Sequence, residues 1–307
     1  MAKIAFVFPG QGSQEVGMGK AAYEGTPEGR DVYEHANHAL GESLSRLCFE
    51  GPDFELQLTA NAQPAILVTS IALLRGFGER CDVVAGHSLG EYSANVCAGT
   101  LDFEDAVKLV RKRGRYMQEA VPVGDGAMAA VLGGELPAIE QVCKATPGVL
   151  EPVNYNCPGQ LVIAGEIAAL TAATPALEAL GVKVRRLAVS APFHSSLMKP
   201  AELALLPDLN ATTFSAPSLP IYINIDATAV TTADAAREAL RHQVSRSVRW
   251  QQTIEHMLAD GVTLFVEIGP GKALTGMIRR IAKDVKRVNI ESPADFEAAR
   301  AVMAEHR

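Results

Sequence analysis

The stretch VVAGHSLGEYSANVCAG, residues 83–99, constrains this chain more than any other. A short apolar run, residues 83–85, leads into Gly86-His87-Ser88-Leu89-Gly90, and a helix-like segment follows over 89–98. A G-x-S-x-G between a strand and a helix describes a nucleophile elbow, a tight turn that pushes a serine hydroxyl into the open. The bland alternative is that Ser88 merely caps the helix. The strand before it and the helix after it favour the nucleophile. Most proteins that use this turn hydrolyse esters or amides. The open question is whether this serine passes its acyl group to water or to another acceptor.

The rest of the chain supports an α/β frame. Strands are expected at 3–8, 221–225 and 263–268, besides 83–85. Helices are expected at 64–74, 103–120, 233–244, 250–259 and from the 269–271 turn to 283. Thr26-Pro27 reads as an N-cap with proline at the first helical position, Gly41 closes that helix, and Asp102 caps the helix from 103. Alternating strands and helices imply a parallel sheet covered on both faces. Sites in such sheets form beyond the carboxyl ends of the strands. Three glycine-rich turns, 9–12, 86–90 and 269–271, are placed to face one crevice.

Between 124 and 189 the pattern changes. Strand 127–132, helix 137–144, strands 153–156 and 160–164, helix 175–180 and strand 182–189 follow in the order β-α-β-β-α-β. That is the split βαβ pattern of ferredoxin-like domains. We therefore expect a small ferredoxin-like domain at 124–189, inserted into a larger hydrolase-like α/β domain formed by 1–123 and 190–307.

Composition narrows the partners. A formal net charge of -7 provides no broad basic surface for nucleic acid. The five cysteines are odd in number and include no C-x-x-C pair, which argues against a disulfide framework or a zinc site and fits a reducing cytoplasm. The N-terminal apolar run is too short for a signal peptide, and the run 65–74 is too short to span a bilayer.

A serine at its own pKa needs a base. Of seven histidines, His35 and His38 lie on a polar helix, and His306 is terminal. His242 and His256 sit among charges, and His87 should point away around the elbow. His194, in the loop SAPFHSSLM at the seam between the two domains, is the base by elimination. No acid stands in a recognisable motif to orient it. Asp208, Asp226 and Asp234 are in plausible loops, and a carbonyl or amide can serve instead.

One arginine is out of place. In the helix 103–120, Lys108, Arg111, Lys112 and Arg115 share a polar side, but Arg113 falls on the apolar stripe Ala106, Val110, Met117, Ala120. A buried unpaired charge costs several kcal/mol, so Arg113 needs an anion. Periodicity alone leaves two partners open, an internal acid or a substrate carboxylate.

FPGQGSQ, GHSLGEYSA, RGRYMQEA, NYNCPGQLVIAG, APFHSSLMKP and EIGPGK occur in this order. With them the chain closely resembles the malonyl-CoA:acyl carrier protein transacylases of fatty-acid synthesis, over almost its full length. The resemblance implies an acyltransferase with malonyl-CoA as substrate, phosphopantetheinylated acyl carrier protein as partner, and no cofactor or metal. It implies Ser88 as the acylated nucleophile, His194 as its base, and Arg113 as the holder of the malonyl carboxylate. The amides of Gln11 and Leu89 would form the oxyanion hole. The main-chain carbonyl of Gln243, in LRHQV, would orient the histidine, and Asn154 and Asn156 would line the cleft near the pantetheine arm. Phe193 resembles the malonyl-selective form of its loop. A stand-alone acyltransferase serving a polyketide synthase would share the same chemistry.

Overall fold

The computed structural model describes residues 2–189 and 191–307. Ten strands form two sheets: β1 (Lys3–Phe8), β2 (Val83–Gly86), β3 (Gly126–Leu132), β4 (Leu150–Cys157), β5 (Gln160–Glu166), β6 (Lys183–Arg186), β7 (Ile221–Tyr222), β8 (Ala229–Val230), β9 (Val262–Ile268) and β10 (Lys286–Ile290). The larger sheet has the order β10-β9-β1-β2-β7-β8, with parallel pairing throughout except at the antiparallel β7–β8 edge. Its central strands read as near-continuous apolar runs because both faces are covered. Ile4, Phe6, Phe8 and Val84 face a core that includes the helix Thr59–Phe77. Ala5, Val7, Val83 and Ala85 face the opposite way, onto Trp250, Ile254 and Ile278. The period of two along each strand divides these residues between the layers.

The second sheet is antiparallel, in the order β4-β5-β3-β6. Helix Leu136–Ala145 lies between β3 and β4 in sequence, and helix Ile167–Ala179 between β5 and β6. Ala127, Ala129, Val131, Leu161 and Ile163 bury one face against these two helices. The other face contributes Met128, Val153, Val162 and Ala164 to the main core of the larger body. Reciprocal main-chain hydrogen bonds tie β4 to the loop before Trp250: Val248 N donates to Val153 O, and Tyr155 N to Val248 O. The small sheet is thus joined to the larger body by backbone as well as by side chains.

Several elements differ from the sequence expectation. The buried helix begins at Thr59 rather than at Pro64, which it carries in its interior. Helix Ile167–Ala179 likewise starts well before Pro175. β6 ends at Arg186, because Leu187, Ala188 and Val189 leave the sheet to line the cleft. β7 ends at Tyr222, because Asn224 turns back toward the elbow. Helices Lys199–Ala211 and Phe296–Ala304 and the edge strand β10 were not anticipated. Thr26, Pro27, Gly41 and Asp102 hold the cap positions expected of them. Met1 and Ser190, which bound the expected domains, lie outside the described residues. Among the described residues no helix is long and apolar enough to cross a membrane.

Candidate active site

Ser88 stands between β2 and the helix Gly90–Cys97 with φ +50°. A non-glycine residue there is strained by about 1–3 kcal/mol, and nucleophile elbows store such strain. The flanking glycines are needed for space. A Cβ on Gly86 would lie 1.9 Å from the carbonyl carbon of Gly90, and one on Gly90 would lie 2.0 Å from Phe8 O. The turn is wedged against the end of β1, and His87 N donates to Phe8 O. The first and second glycine-rich turns do meet, since a Cβ on Gly10 would lie 2.4 Å from His87 O. The third packs behind the first, with Gly269 against Pro9.

Ser88 Oγ lies 2.7 Å from His194 Nε2. His194 Nδ1 lies 2.8 Å from the main-chain oxygen of Gln243. A carbonyl can only accept, so Nδ1 carries the proton and Nε2 presents its lone pair to the serine hydroxyl. His194 also has a left-handed backbone, φ +64°, and is 4% exposed. Burial, and then the neighbouring Arg113 cation, hold its pKa down at about 3. The imidazole is therefore neutral, and free to take a proton, across the neutral range.

Arg113 is 1% exposed on the apolar stripe of its helix. Its Nη1 donates to Gln63 Oε1 at 2.6 Å, and its Nη2 to Gln243 Oε1 at 2.8 Å and Ser88 Oγ at 3.2 Å. Its ring neighbour is Tyr92, with the guanidinium 5.4 Å from the ring centroid. Nε has no partner. Among the described residues no salt bridge reaches it, so all its direct hydrogen-bond partners are neutral. Burial lowers its pKa.

These groups border a cavity of ≈ 380 Å³. Gln11, Leu89, Asn154 and Phe193 line it with Ser88, Arg113 and His194. Leu89 precedes the helix Gly90–Cys97, whose dipole places partial positive charge at that end. Among the described residues no acceptor takes the amide of Gln11 or of Leu89. Asn154 Oδ1 is buried without a partner among them. Asn156 is not on the cavity wall. The β4–β5 register slips between Tyr155 and Cys157, which breaks the two-residue alternation, and Asn156 sits behind His87. His87 was expected to point away from the site, yet it borders the cavity. Asn156 Oδ1, 2.9 Å from His87 Nε2, and the Trp250 ring, 5.7 Å away, fix it there. Burial lowers its pKa.

None of the three aspartates bonds to His194. Asp208 lies in the helix Lys199–Ala211 and pairs with Lys112 and Tyr116. Asp234 pairs with Arg237, and Asp226 occupies the turn after Asn224. Sequence reasoning missed four polar residues around the nucleophile: Gln63, Glu91, Asn224 and Gln243's side chain. Asn224 Oδ1 accepts from Ser88 N at 2.7 Å, and its Nδ2 donates to Gly86 O at 2.7 Å. Gln243 Nε2 donates to Ser88 O and to Glu91 Oε2, both at 2.9 Å. Glu91 Oε2 also accepts from Asn224 N at 2.8 Å. Only Glu91 carried a signal, as an acid inside an otherwise apolar helix start. Among the described residues no cluster of three or more His, Cys, Asp or Glu is arranged to hold a metal.

A neutral histidine base, a half-buried serine hydroxyl facing the cavity, two free amides and a buried guanidinium can form, hold and release an acyl ester. The acyl transferase domain family matches residues 5–295. The malonyl CoA-acyl carrier protein transacylase of Bacillus subtilis is 46% identical, over 97% of this chain and 96% of its own. The crystal structure of an acyl carrier protein S-malonyltransferase from Vibrio cholerae superposes with a TM-score of 0.94 at 43% identity, over 97% of this chain and 100% of that one. A malonyl-transacylase solved in complex with its type II PKS acyl-carrier protein has a TM-score of 0.94 at 42% identity, over 97% and 99% of the two chains. The chain belongs to the acyl transferase family, in its malonyl CoA-acyl carrier protein transacylase branch.

Proposed function

We propose that this protein transfers the malonyl group from malonyl-CoA to the phosphopantetheine thiol of acyl carrier protein, through a malonyl ester on Ser88. One observation carries the reading: the guanidinium of Arg113 is buried, has only neutral hydrogen-bond partners, and reaches the nucleophile oxygen itself. In a malonyl thioester the carboxylate is one methylene from the carbon that Ser88 attacks. A carboxylate held by Arg113 is therefore delivered with its acyl carbon at Ser88 Oγ. Acetyl offers nothing to the fork, and a neutral acyl group leaves the buried guanidinium without an anion in direct contact, with only Glu91 beyond the Gln243 amide.

His194 Nε2 takes the Ser88 proton as Oγ adds to the thioester carbonyl. The oxyanion rests on the amides of Gln11 and Leu89, a contribution of about 3 kcal/mol for one such donor. Collapse breaks the C–S bond, and the CoA sulfur leaves with the proton from His194. The carrier thiol then gives its proton to His194 and attacks the malonyl ester, and Ser88 recovers its proton as the ester breaks. Gln243 O keeps the imidazole in the required tautomer throughout. The malonyl carboxylate also offsets Arg113, the second cause of the low His194 pKa, so substrate binding strengthens the base. Asn154 is assigned to the pantetheine end of the cleft, and Asn156 acts one bond further back, through His87. These steps draw on no metal or cofactor, since malonyl-CoA enters as substrate. Five free cysteines support a cytoplasmic setting.

We read residues 124–189 as a ferredoxin-like domain inserted into an α/β hydrolase-like domain of 1–123 and 190–307. The order β-α-β-β-α-β and the antiparallel strand order β4-β5-β3-β6 support this reading. A polyketide carrier protein is the second possible acceptor, favoured by the likeness to a type II PKS transacylase. The test is mass spectrometry of Ser88 after malonyl-CoA, followed by addition of phosphopantetheinylated fatty-acid and polyketide carriers, with Ser88→Ala as control. A malonyl adduct that persists in water and discharges to a carrier is expected. Prompt release of free malonate without a carrier would mean a thioesterase.

A further inference from the structure

The mechanism above leaves one buried ionisable group unused. Glu91 is 1% exposed, three residues after the nucleophile. One of its oxygens, Oε2, takes two hydrogen bonds, from Asn224 N and from Gln243 Nε2. Those two residues are the ones that grip the elbow. Asn224 holds Ser88 N and Gly86 O, and Gln243 holds Ser88 O. Gln243 also offers its carbonyl to His194 and its Oε1 to Arg113. Every external hydrogen bond on the Ser88 peptide groups therefore passes to a single carboxylate oxygen. The amide of Gln243 lies between an anion and a cation, which fixes its NH2 toward Glu91 and its oxygen toward Arg113.

Ser88 and His194 are both in the left-handed region, where neither would stay unless its surroundings held it. We propose that Glu91 is a positioning residue of the transfer: its negative charge tightens Asn224 and Gln243 onto the elbow and so holds Ser88 and His194 in reacting alignment. The inference rests on the reading that these two residues carry the transfer. A neutral amide or hydroxyl would hold the same two donors without the cost of a buried charge. What the carboxylate adds is strength, since hydrogen bonds to an ionised acceptor are roughly twice as strong as neutral ones.

The second oxygen, Oε1, is buried and has no partner among the described residues. A proton there would leave the two bonds at Oε2 in place but weaken both together. Arg113, on helix Phe103–Glu119, and Tyr92, on Glu91's own helix, are the charged and titratable groups that feel this carboxylate. Asn224 and Gln243 face it with neutral amides. Burial pushes its pKa up to about 7, against the pull of Gln243, Asn224 and Arg113. The looser state is then reached on the acid side of neutral pH. His194, held at about 3, cannot produce a change there with the neutral ester, which leaves the Arg113 cation beside it unpaired.

The test is the single-turnover rate of Ser88 acylation between about pH 6 and about pH 8, with malonyl-CoA and, separately, with a neutral activated acetyl ester. The wild-type rate is expected to step down about tenfold toward the acid side, to a lower plateau, with both reagents. Glu91→Gln places a carbonyl at Oε2 and an NH2 at Oε1, imitating the protonated acid. It is expected to react at about the lower rate throughout, with no step. A Glu91→Gln variant that keeps the wild-type rate, or keeps the step, overturns the proposal. So does a step seen with malonyl-CoA and absent with the ester, which would place the titration on the substrate. If circular dichroism finds Glu91→Gln unfolded, Glu91→Asp decides: a displaced step supports the proposal, and an unchanged one overturns it. A protein that the ester acylates with the step, but malonyl-CoA does not acylate at all, refutes the transfer reading and leaves this one standing.

Discussion

The main-chain oxygen of Gln243 lies 2.8 Å from Nδ1 of His194, while the side chain of the same residue bonds Arg113, Glu91 and the carbonyl of Ser88. One residue thus joins the base, the guanidinium and the nucleophile's turn. The orienting group belongs to the backbone, so truncating the side chain leaves it in place. Gln243→Ala should lower the rate of Ser88 acylation by about tenfold to a hundredfold, through the loosened turn. His194→Ala should lower it by about a thousandfold or more. Quench-flow acylation with malonyl-CoA measures both. Equal losses would mean that the side chain, rather than the carbonyl, holds the histidine.

Arg113 should separate malonyl from acetyl. Arg113→Ala should reduce malonyl transfer by about a hundredfold or more, the usual cost of truncating one partner of a buried charge pair. Acetyl transfer should fall far less. Steady-state transfer to carrier protein from malonyl-CoA and acetyl-CoA in parallel gives the ratio, and a ratio equal to wild type removes the carboxylate clamp.

The elbow should not accept a methyl group. A Cβ on Gly90 would stand 2.0 Å from Phe8 O, a backbone atom of a central strand that has nowhere to move. Gly90→Ala should destabilise the protein by about 3 kcal/mol or more. Gly99, with φ +70° and open space around its Cβ position, should lose only about 1 kcal/mol to the same change, from backbone strain. Paired urea titrations would settle the order.

Acid should cost stability through His194. Its folded pKa lies below its unfolded value, so between about 6.5 and about 3 the unfolded chain binds the proton and the folded chain does not. Stability from this group is intact above about pH 6.5 and falls by about 1.4 kcal/mol per pH unit below it. Glu91 acts in the opposite sense: its folded pKa is raised, so its contribution declines as pH rises from about 4.5 to about 7. The difference in unfolding free energy between wild type and His194→Gln isolates the histidine. It should slope with pH below about 6.5 and be flat above. A flat difference throughout would mean that the ring is solvated.

Much of the site could be read from local pattern. The elbow is a five-residue signal whose glycines are set by contacts a few residues away. Arg113 stood out because helical periodicity reports burial directly. His194 came by elimination and by its place after β6. Asn156 shows the limit of such reading. The family resemblance put it in the cleft beside Asn154, and a slip in register moved it behind His87. Asn224 and the side chain of Gln243 are separated from Ser88 by 136 and 155 positions, and they meet it, and the carboxylate of Glu91, only through folding.

Sequence by itself therefore determined the alternating α/β plan, the serine's turn and the burial of the arginine, because each depends on neighbours within a turn of helix or a strand pair. Tertiary structure decided which carbonyl faces His194, that Arg113 meets only neutral partners, and that a single carboxylate braces the elbow. Those features depend on distances of about 3 Å between side chains and backbone from β2, the turn after β7, and helices Phe103–Glu119 and Ala233–Gln243. Hydrophobic pattern specifies which face of each element is buried, but the alignment of polar groups within the core is set only when all the faces have packed.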